Sequence, residues 1–578
     1  MKRLRSVLTA LSVLSVLSAL SVLTALSVLS ALSHPLHAQT DSASLAPAWR
    51  LIDRFAEQWM QESGAPGLAF AITDRTGTLR VATWGYADVE ARRPLTPADR
   101  FEIGSISKSF TAIALLQLEA AGKFDPRQPI TTYLPWFSIR SDYRPITGHD
   151  LLTHTAGFPT DRDDIPSSLA QAYEVRDRIA APPGSYWSYS NVGYQVLGYV
   201  LGAIAGRPSN EVVGDRILAP LGMTSSKPQF TNADRPSLAT GYVPLYDDRP
   251  RRAGEPLIPG AWGEYAGGDG AIISTPGDMA TYARMLLNGG RDASGQLLPE
   301  KQFGELTARQ FRTARGDSTW YGYGLFVERR RGHRWLWHTG GMIGYTSSLA
   351  MDLDAGLGAV ALINGPGDPT EITDFAIAVL EAARHGDTLP ALPMQRTPFS
   401  IARAAEYSGR YRDPAGRTLV FSSDGDRLLL DRDGRLTPLE AFGDDAVLGP
   451  TDSFALFPLQ FRRPGGVVTE VDYGGDWYAN DRYHGPKSFT HPEGWDAYVG
   501  HYRYMSPWES DFRIVERQGR LWYIDTNRGE EELTPIGPAE FRVGPAGAPD
   551  RLHFDQVLRG HALRATLSGV IYYRYFIP

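Results

Sequence analysis

The 578-residue chain contains no cysteine. That absence removes disulfides, thiolate metal sites, cysteine nucleophiles and a lipidated-cysteine anchor together. Charge of one sign is lacking too: 58 basic against 65 acidic side chains leave a net charge of −7. So mild a balance over this length argues against a nucleic-acid partner. Beyond residue 38 no uncharged apolar run is long enough to span a bilayer. No His-Glu-x-x-His occurs, and His149 and His154, five apart, miss the i, i+4 spacing of a helical zinc pair. No metal and no cofactor is expected.

What is present is an ordinary globular composition, 42% hydrophobic and 21% charged, on a chain long enough for about two to four domains. The first 38 residues stand apart. Lys2, Arg3 and Arg5 precede a repetitive Leu-Ser-Val-Leu-Ser-Ala run, and Leu36-His37-Ala38 has the small residue of a cleavage site. A basic start, an apolar middle and such an end describe a secretory signal peptide, 1–38, and hence a secreted or periplasmic protein. Because the run continues to about Leu32, an uncleaved N-terminal anchor is the alternative.

Along the rest of the chain the periodicity predicts a helix over Ala46–Met60, with Ile52, Phe55, Ala56, Trp59 and Met60 on one face. A hairpin follows, Gly67–Thr73 with Leu79–Gly85 around an Asp-Arg-Thr-Gly turn. Helices are expected from Ser105 through Ala121, over Asp150–His154 behind a Thr147–Asp150 capping box, and over Val192–Ala205, Asn210–Leu218 and Asp278–Leu287. After Tyr321 strands are expected at Tyr323–Glu328, Trp335–His338, Ser347–Leu353 and Gly358–Ile363, then a helix Ile372–Ala383. Hairpin, helices, antiparallel strands and a closing helix read as α+β.

This first unit is assigned to residues 39–384, and a proline-containing stretch, 385–402, is read as a linker. Beyond it come short alternating strands with no clear helix, and the pattern repeats. Tyr407-Ser-Gly-Arg-Tyr411 returns as Tyr498-Val-Gly-His-Tyr502, 91 residues on, and Leu436-Thr-Pro-Leu439 as Leu533-Thr-Pro-Ile536, 97 residues on. Two related antiparallel β modules, 403–490 and 491–578, each a small barrel or sandwich, are expected.

One stretch carries chemistry. Ser105 and Lys108 form a Ser-x-x-Lys pair at the head of an apolar helix. Residues three apart on a helix are neighbours, so the amine can reach the hydroxyl. A serine becomes a nucleophile when a base takes its proton, and an amine in apolar surroundings holds its own proton less tightly. Tyr189-Ser190-Asn191 follows a Pro-Pro-Gly loop and opens a helix, and His338-Thr339-Gly340 closes the Trp335–His338 strand. Small residues at a strand edge let a substrate backbone lie alongside. Taken singly, each motif has a plain alternative: a solvated helix edge, a packing tyrosine, a satisfied sheet-edge histidine.

Together, Ser-x-x-Lys, Tyr-x-Asn and His-Thr-Gly, separated by 84 and 149 residues, resemble the signature elements of penicillin-recognising serine hydrolases, in the version of the class C β-lactamase, DD-peptidase and esterase family. Supporting stretches are Leu151–Gly157, Leu218–Met223 and Gly340–Tyr345. The resemblance covers about Leu51 to Ala383 and implies an all-α part packed on an antiparallel sheet flanked by helices. Carried over, it makes Ser105 the acylated nucleophile, Lys108 and Tyr189 the proton carriers, and Asn191, His338, Thr339 and Gly340 the substrate-binding residues. The N–H groups of Ser105 and Gly341 would form the oxyanion hole. Whether Lys108 or Tyr189 is the general base stays open.

Classical β-lactamases of this family carry lysine where His338 stands, and a largely neutral histidine lacks the fixed charge that receives a drug's carboxylate. The two C-terminal modules resemble, in layout alone, those of D-stereospecific aminopeptidases. The expectation is an exported serine hydrolase working through an acyl-enzyme on a small-molecule or short-peptide substrate, foremost D-amino-acid peptides or cell-wall fragments. The alternatives are a broad carboxylesterase or weak β-lactamase on the same site, and a non-catalytic binding protein. Homo-oligomerisation is left open.

Overall fold

The computed structural model describes residues 45–139, 141–159, 181–293, 295–313, 318–505, 510–526 and 529–576. The stretch read as a signal peptide, 1–38, lies outside them. In chain order the helices used below are α1 (Ala46–Ser63), α2 (Ser107–Ala120), α3 (Gly148–Leu152), α4 (Asn191–Ala205), α5 (Pro276–Leu287) and α6 (Thr370–His385). The first sheet has β1 (Gly67–Asp74), β2 (Thr78–Asp88), β3 (Arg93–Pro94), β4 (Phe311–Arg312), β5 (Thr319–Tyr321), β6 (Phe326–Arg330), β7 (His333–Met342), β8 (Tyr345–Asp352) and β9 (Leu357–Ile363). Its order is β4-β5-β6-β7-β8-β9-β1-β2-β3, with antiparallel neighbours throughout.

Strand alternation decides what covers each face. Leu68, Phe70 and Ile72 of β1, with Ala359, Ala361 and Ile363 of β9, turn to the side where α1 and α6 pack through Ile52, Phe55, Trp59, Ile377 and Leu380. Ala69, Val360, Leu362 and Leu349 turn the other way, into a larger core shared with α2, α4 and α5. The result is an α+β layering with a mainly helical part on the second face. Helix α2 is buried from Ser107 to Leu116 without interruption, as a helix with no water-facing side must be. Among the described residues no helix is long and apolar enough to cross a membrane.

The expected elements are found with instructive shifts at the site. Ser105 lies in a 3₁₀ turn, Gly104–Ile106, and the α-helix proper begins at Ser107. The Thr147–Asp150 capping box is formed on both sides. Asn210–Leu218 is a short α-turn, Ser209–Val213, running into a π-turn. The strand expected from Tyr323 starts only at Phe326, because Gly324 adopts φ +75° and fits against the Lys108–Ser109 backbone. Conversely, β7 does not stop at His338; it runs to Met342. β8 pairs it as far as Met342, whereas β6 pairs it only from His333 to Trp337. The stretch His338–Met342 therefore has no sheet neighbour on the β6 side, and the Ile103–Gly104 backbone packs onto it: a Cβ on Gly340 would fall 1.9 Å from the Ile103 carbonyl oxygen, and one on Gly104 2.7 Å from the Gly341 nitrogen.

Residues 386–403 carry no helix or strand. Two nine-stranded antiparallel sheets follow, each wrapped around its own core. In the first, Arg435–Pro438 and Glu440–Gly443 are the two end strands. They are consecutive halves of one bent segment, broken at buried Leu439, whose N–H donates to Leu428 O at 2.9 Å. The second repeats this with Gly529–Glu532, Thr534–Gly537 and buried Leu533, bonded to Leu521 O at 2.9 Å. Each sheet is thus a nearly closed barrel. The Tyr-x-Gly-x-Tyr match is structural: Tyr411 donates to Tyr407 O at 3.0 Å and Tyr502 to Tyr498 O at 2.8 Å. The Leu-Thr-Pro match is not, since Leu436-Thr-Pro precedes the bend and Leu533 is the bend itself; the equivalent of Leu533 is Leu439. One helical turn, Ala404–Tyr407, was not anticipated in this region.

Both barrels grip the same excursion of the first unit. Arg252 donates to Phe454 O at 2.9 Å and Glu440 accepts from Ala253 N at 2.5 Å. From the second barrel Arg503 pairs with Asp247 at 2.7 Å and Arg513 donates to Asp248 O at 2.6 Å.

Glu102 belongs to a small ladder, Phe101–Glu102 with Ile273–Ser274, that holds the Ser105 turn in place. Burial pushes its carboxyl up to about 8 from 4.5. Between those values the folded chain holds a proton that the unfolded chain has released, so stability falls as pH rises through that window. Glu102→Gln is expected to flatten the fall in melting temperature between about pH 4.5 and 8, a contribution of a few kcal/mol; a parallel decline in both proteins would dismiss the assignment. Gly340→Ala should destabilise by about 3 kcal/mol in denaturant titrations, since a backbone carbonyl cannot swing aside. Gly341→Ala, whose Cβ meets open space, should fold normally.

Candidate active site

The site is assembled at the head of α2. One turn separates Ser105 from Lys108, and the Lys108 Nζ stands 2.9 Å from the Ser105 Oγ. Lys108 is completely buried, and an ammonium in such a place must have its three protons placed. Besides Ser105 it reaches Asn191 Oδ1 at 2.5 Å and the Asp269 carbonyl at 3.1 Å. Asn191 is the first residue of α4, presented there because Ser190 caps that helix by accepting from Gly193 N. The Tyr189 ring lies 4.9 Å from the same Nζ, and Tyr194, one turn into α4, lies 5.8 Å away.

Across the cleft β7 brings the other motif. His338 is buried, with Nδ1 donating to the Thr339 carbonyl at 2.5 Å and Nε2 3.0 Å from the Tyr321 hydroxyl. A carbonyl can only accept, so the Nδ1 proton is fixed by that contact. Its ring is 6.2 Å from that of Tyr189. Gly340 and Gly341 lie on the Ile103–Gly104 backbone, next to Ser105. The structure therefore brings Ser105, Lys108, Tyr189, Asn191, His338, Thr339, Gly340 and Gly341 around one cleft.

Some members escaped the sequence reading. Asp269 supplies the third acceptor to Lys108 through its main chain, while its buried carboxylate accepts from Tyr265 at 2.7 Å and Tyr265 in turn accepts from Gln195 at 3.0 Å. Burial raises the Asp269 carboxyl, against the opposing pull of Lys108. His154 entered the sequence reading as a dismissed zinc ligand and as part of a supporting stretch, with no role in the site. Its Nδ1 accepts the Ser190 N–H at 3.0 Å, which steadies the loop between Tyr189 and Asn191, and its ring packs 4.3 Å from Tyr189 and 4.7 Å from Tyr321. Burial above all, then the nearby Lys108 and His338, hold its pKa well below the usual histidine range, so it enters the site as a neutral ring. His149, its apparent companion, instead bonds Tyr323 at 2.8 Å. A main-chain carbonyl carries no residue signature; the His154 contact does, in the Leu151-Leu-Thr-His stretch.

A hydroxyl bonded to a buried amine, a tyrosine beside that amine and a strand edge opposite are the parts of an acyl-transfer centre. Comparison with known proteins bears on the family. A family model described as Beta-lactamase matches residues 52–384. The Bacillus subtilis protein PbpX is 29% identical over 274 residues, 46% of this chain and 64% of its own length. Penicillin-binding protein 4* of Bacillus subtilis is 25% identical over 387 residues, 62% of this chain and 82% of its own. The octameric penicillin-binding protein homologue from Pyrococcus abyssi shares the fold with a TM-score of 0.55 at 23% identity, over 74% of this chain and 98% of that one. With the matching family model spanning more than half of it, the chain belongs to the beta-lactamase family and is a serine hydrolase.

Proposed function

We propose an exported hydrolase that opens amide or ester bonds of small substrates through an acyl-enzyme on Ser105, with D-amino-acid peptides or cell-wall fragments as the preferred class. The observation that carries this is the fully buried Lys108 amine held between Ser105 Oγ and Asn191 Oδ1. In this reading one member of the Lys108–Tyr189 pair rests without its proton, and the Ser105 proton passes to it as the oxygen attacks the carbonyl carbon. The oxyanion is received by the Ser105 and Gly341 N–H groups, each such donor being worth roughly 10²–10³ in rate. Tyr189 returns the proton to the leaving amine or alcohol, and water then releases the acyl group. Asn191, His338, Thr339 and Gly340 hold the substrate, its backbone lying along β7 where β6 has ended.

Two features favour small peptides over β-lactams. No lysine stands at position 338, and the His338 ring is engaged with Thr339 and Tyr321. In addition the second barrel touches the chain just ahead of Tyr189: Gly547 packs against Tyr186, three residues before it, and Asp550 and Glu531 bear on the Tyr186 hydroxyl. A loop in that place limits the length of what can enter.

Intact-protein mass spectrometry with a fluorophosphonate should show one adduct on the native enzyme and none on Ser105→Ala; Lys108→Ala should slow its formation by about 10³-fold. Adduct on Ser105→Ala would move the nucleophile elsewhere. D-alanyl peptides should be turned over faster than p-nitrophenyl esters, and the reverse order would favour the carboxylesterase reading. His338→Lys should speed acylation by benzylpenicillin about tenfold, the scale of one hydrogen bond to a charged group. No change would mean that position 338 does not meet the carboxylate.

A further inference from the structure

The strand β7 that borders the site, with its neighbour β8, carries a second cluster at the opposite end. His333 begins β7, Asp352 ends β8, and Glu381 comes from α6 above them. The His333 Nδ1 is 2.8 Å from Asp352 Oδ2 and 3.4 Å from Glu381 Oε1, and one ligand atom from each of the three lies within 4.8 Å of the others. The geometry points to a divalent metal site of the zinc class, with these three side chains as ligands and the fourth position open to water.

Three features separate this from a chance meeting of charges. Asp352 is 1% exposed, and its Oδ1 accepts the N–H groups of Asp354 and Ala355 at 3.0 and 2.9 Å. That leaves Oδ2 fixed and aimed at the cluster, as the outer hydrogen bonds of metal-binding carboxylates do. The three groups also line a cavity of about 190 Å³, which leaves room for an ion and its water. Lastly, the neighbouring cations are engaged elsewhere. Arg330 pairs with Glu328 and Asp374, and Arg334 with Asp354, though Arg331 also borders the cavity.

Ligands about 2.0–2.2 Å from a tetrahedral zinc stand about 3.4 Å apart. The His333–Glu381 spacing already has that value, and the His333–Asp352 pair opens by about half an ångström as the ion replaces the proton shared between them. One imidazole and two carboxylates suit Zn²⁺ or Co²⁺ over the softer ions that prefer sulfur. Five residue steps along β7 separate His333 from His338, about 16 Å, so the ion takes no part in the acyl transfer. Its effect is to tie α6 to the far end of the strand whose near end holds the substrate.

Tag-free full-length protein, stripped with chelator, should gain several degrees in melting temperature on titration with ZnCl₂, saturating at one ion per chain by calorimetry. CoCl₂ should give visible absorption of tetrahedral intensity. Both signals should vanish in His333→Ala and in Glu381→Gln while fluorophosphonate labelling of Ser105 is unchanged. Glu381 is partly exposed on α6, so its variant serves if the His333 one does not fold. No melting shift at millimolar zinc, or a shift of equal size in Glu381→Gln, would overturn the site. Because labelling is read separately, loss of the metal site and failure of the acyl-enzyme reading are distinguishable.

Discussion

A single buried amine organises the catalytic unit. Taking an ammonium out of water costs several kcal/mol unless its protons find acceptors, and Lys108 finds them on three separate pieces of chain: the 3₁₀ turn before α2, the first residue of α4 and the main chain at Asp269. None of these pieces can shift without leaving the charge poorly matched. What orients the serine therefore also locks the helical part together, and the requirement of stability coincides with the requirement of chemistry. The neutral His154 ring behind Tyr189 fits the same logic, since a second charge there would compete with Lys108.

The opposite wall obeys a steric rule. Gly340 lies against the Ile103 carbonyl and Gly104 against the Gly341 main chain, so the strand and the Ser105 turn approach more closely than any side chain would permit. β6 ends early enough to leave that side of β7 uncovered by another strand.

Much of this was legible in the residues. The hairpin, α1, α4, α5 and α6 announce themselves by periodicity, and the Ser105, Tyr189 and His338 motifs by type and order. What stayed hidden was set by contacts remote in sequence. Gly324 cuts a strand short because it must fit against Lys108–Ser109, and β7 continues past His338 because β8 pairs it to Met342. The carbonyl of Asp269 has no sequence mark at all. The Leu-Thr-Pro repeat misled for a different reason: three small common residues matched across a bend that only the strand pairing reveals.

That bend has a wider consequence. Where a sheet begins and ends in two halves of one continuous strand, hinged on a leucine sunk in the core, only half-length borders are left from which unravelling could start or onto which a foreign strand could be grafted. Freeing either half means drawing Leu439 or Leu533 out of its interior. Each barrel is thus inclined to open as a whole or not at all.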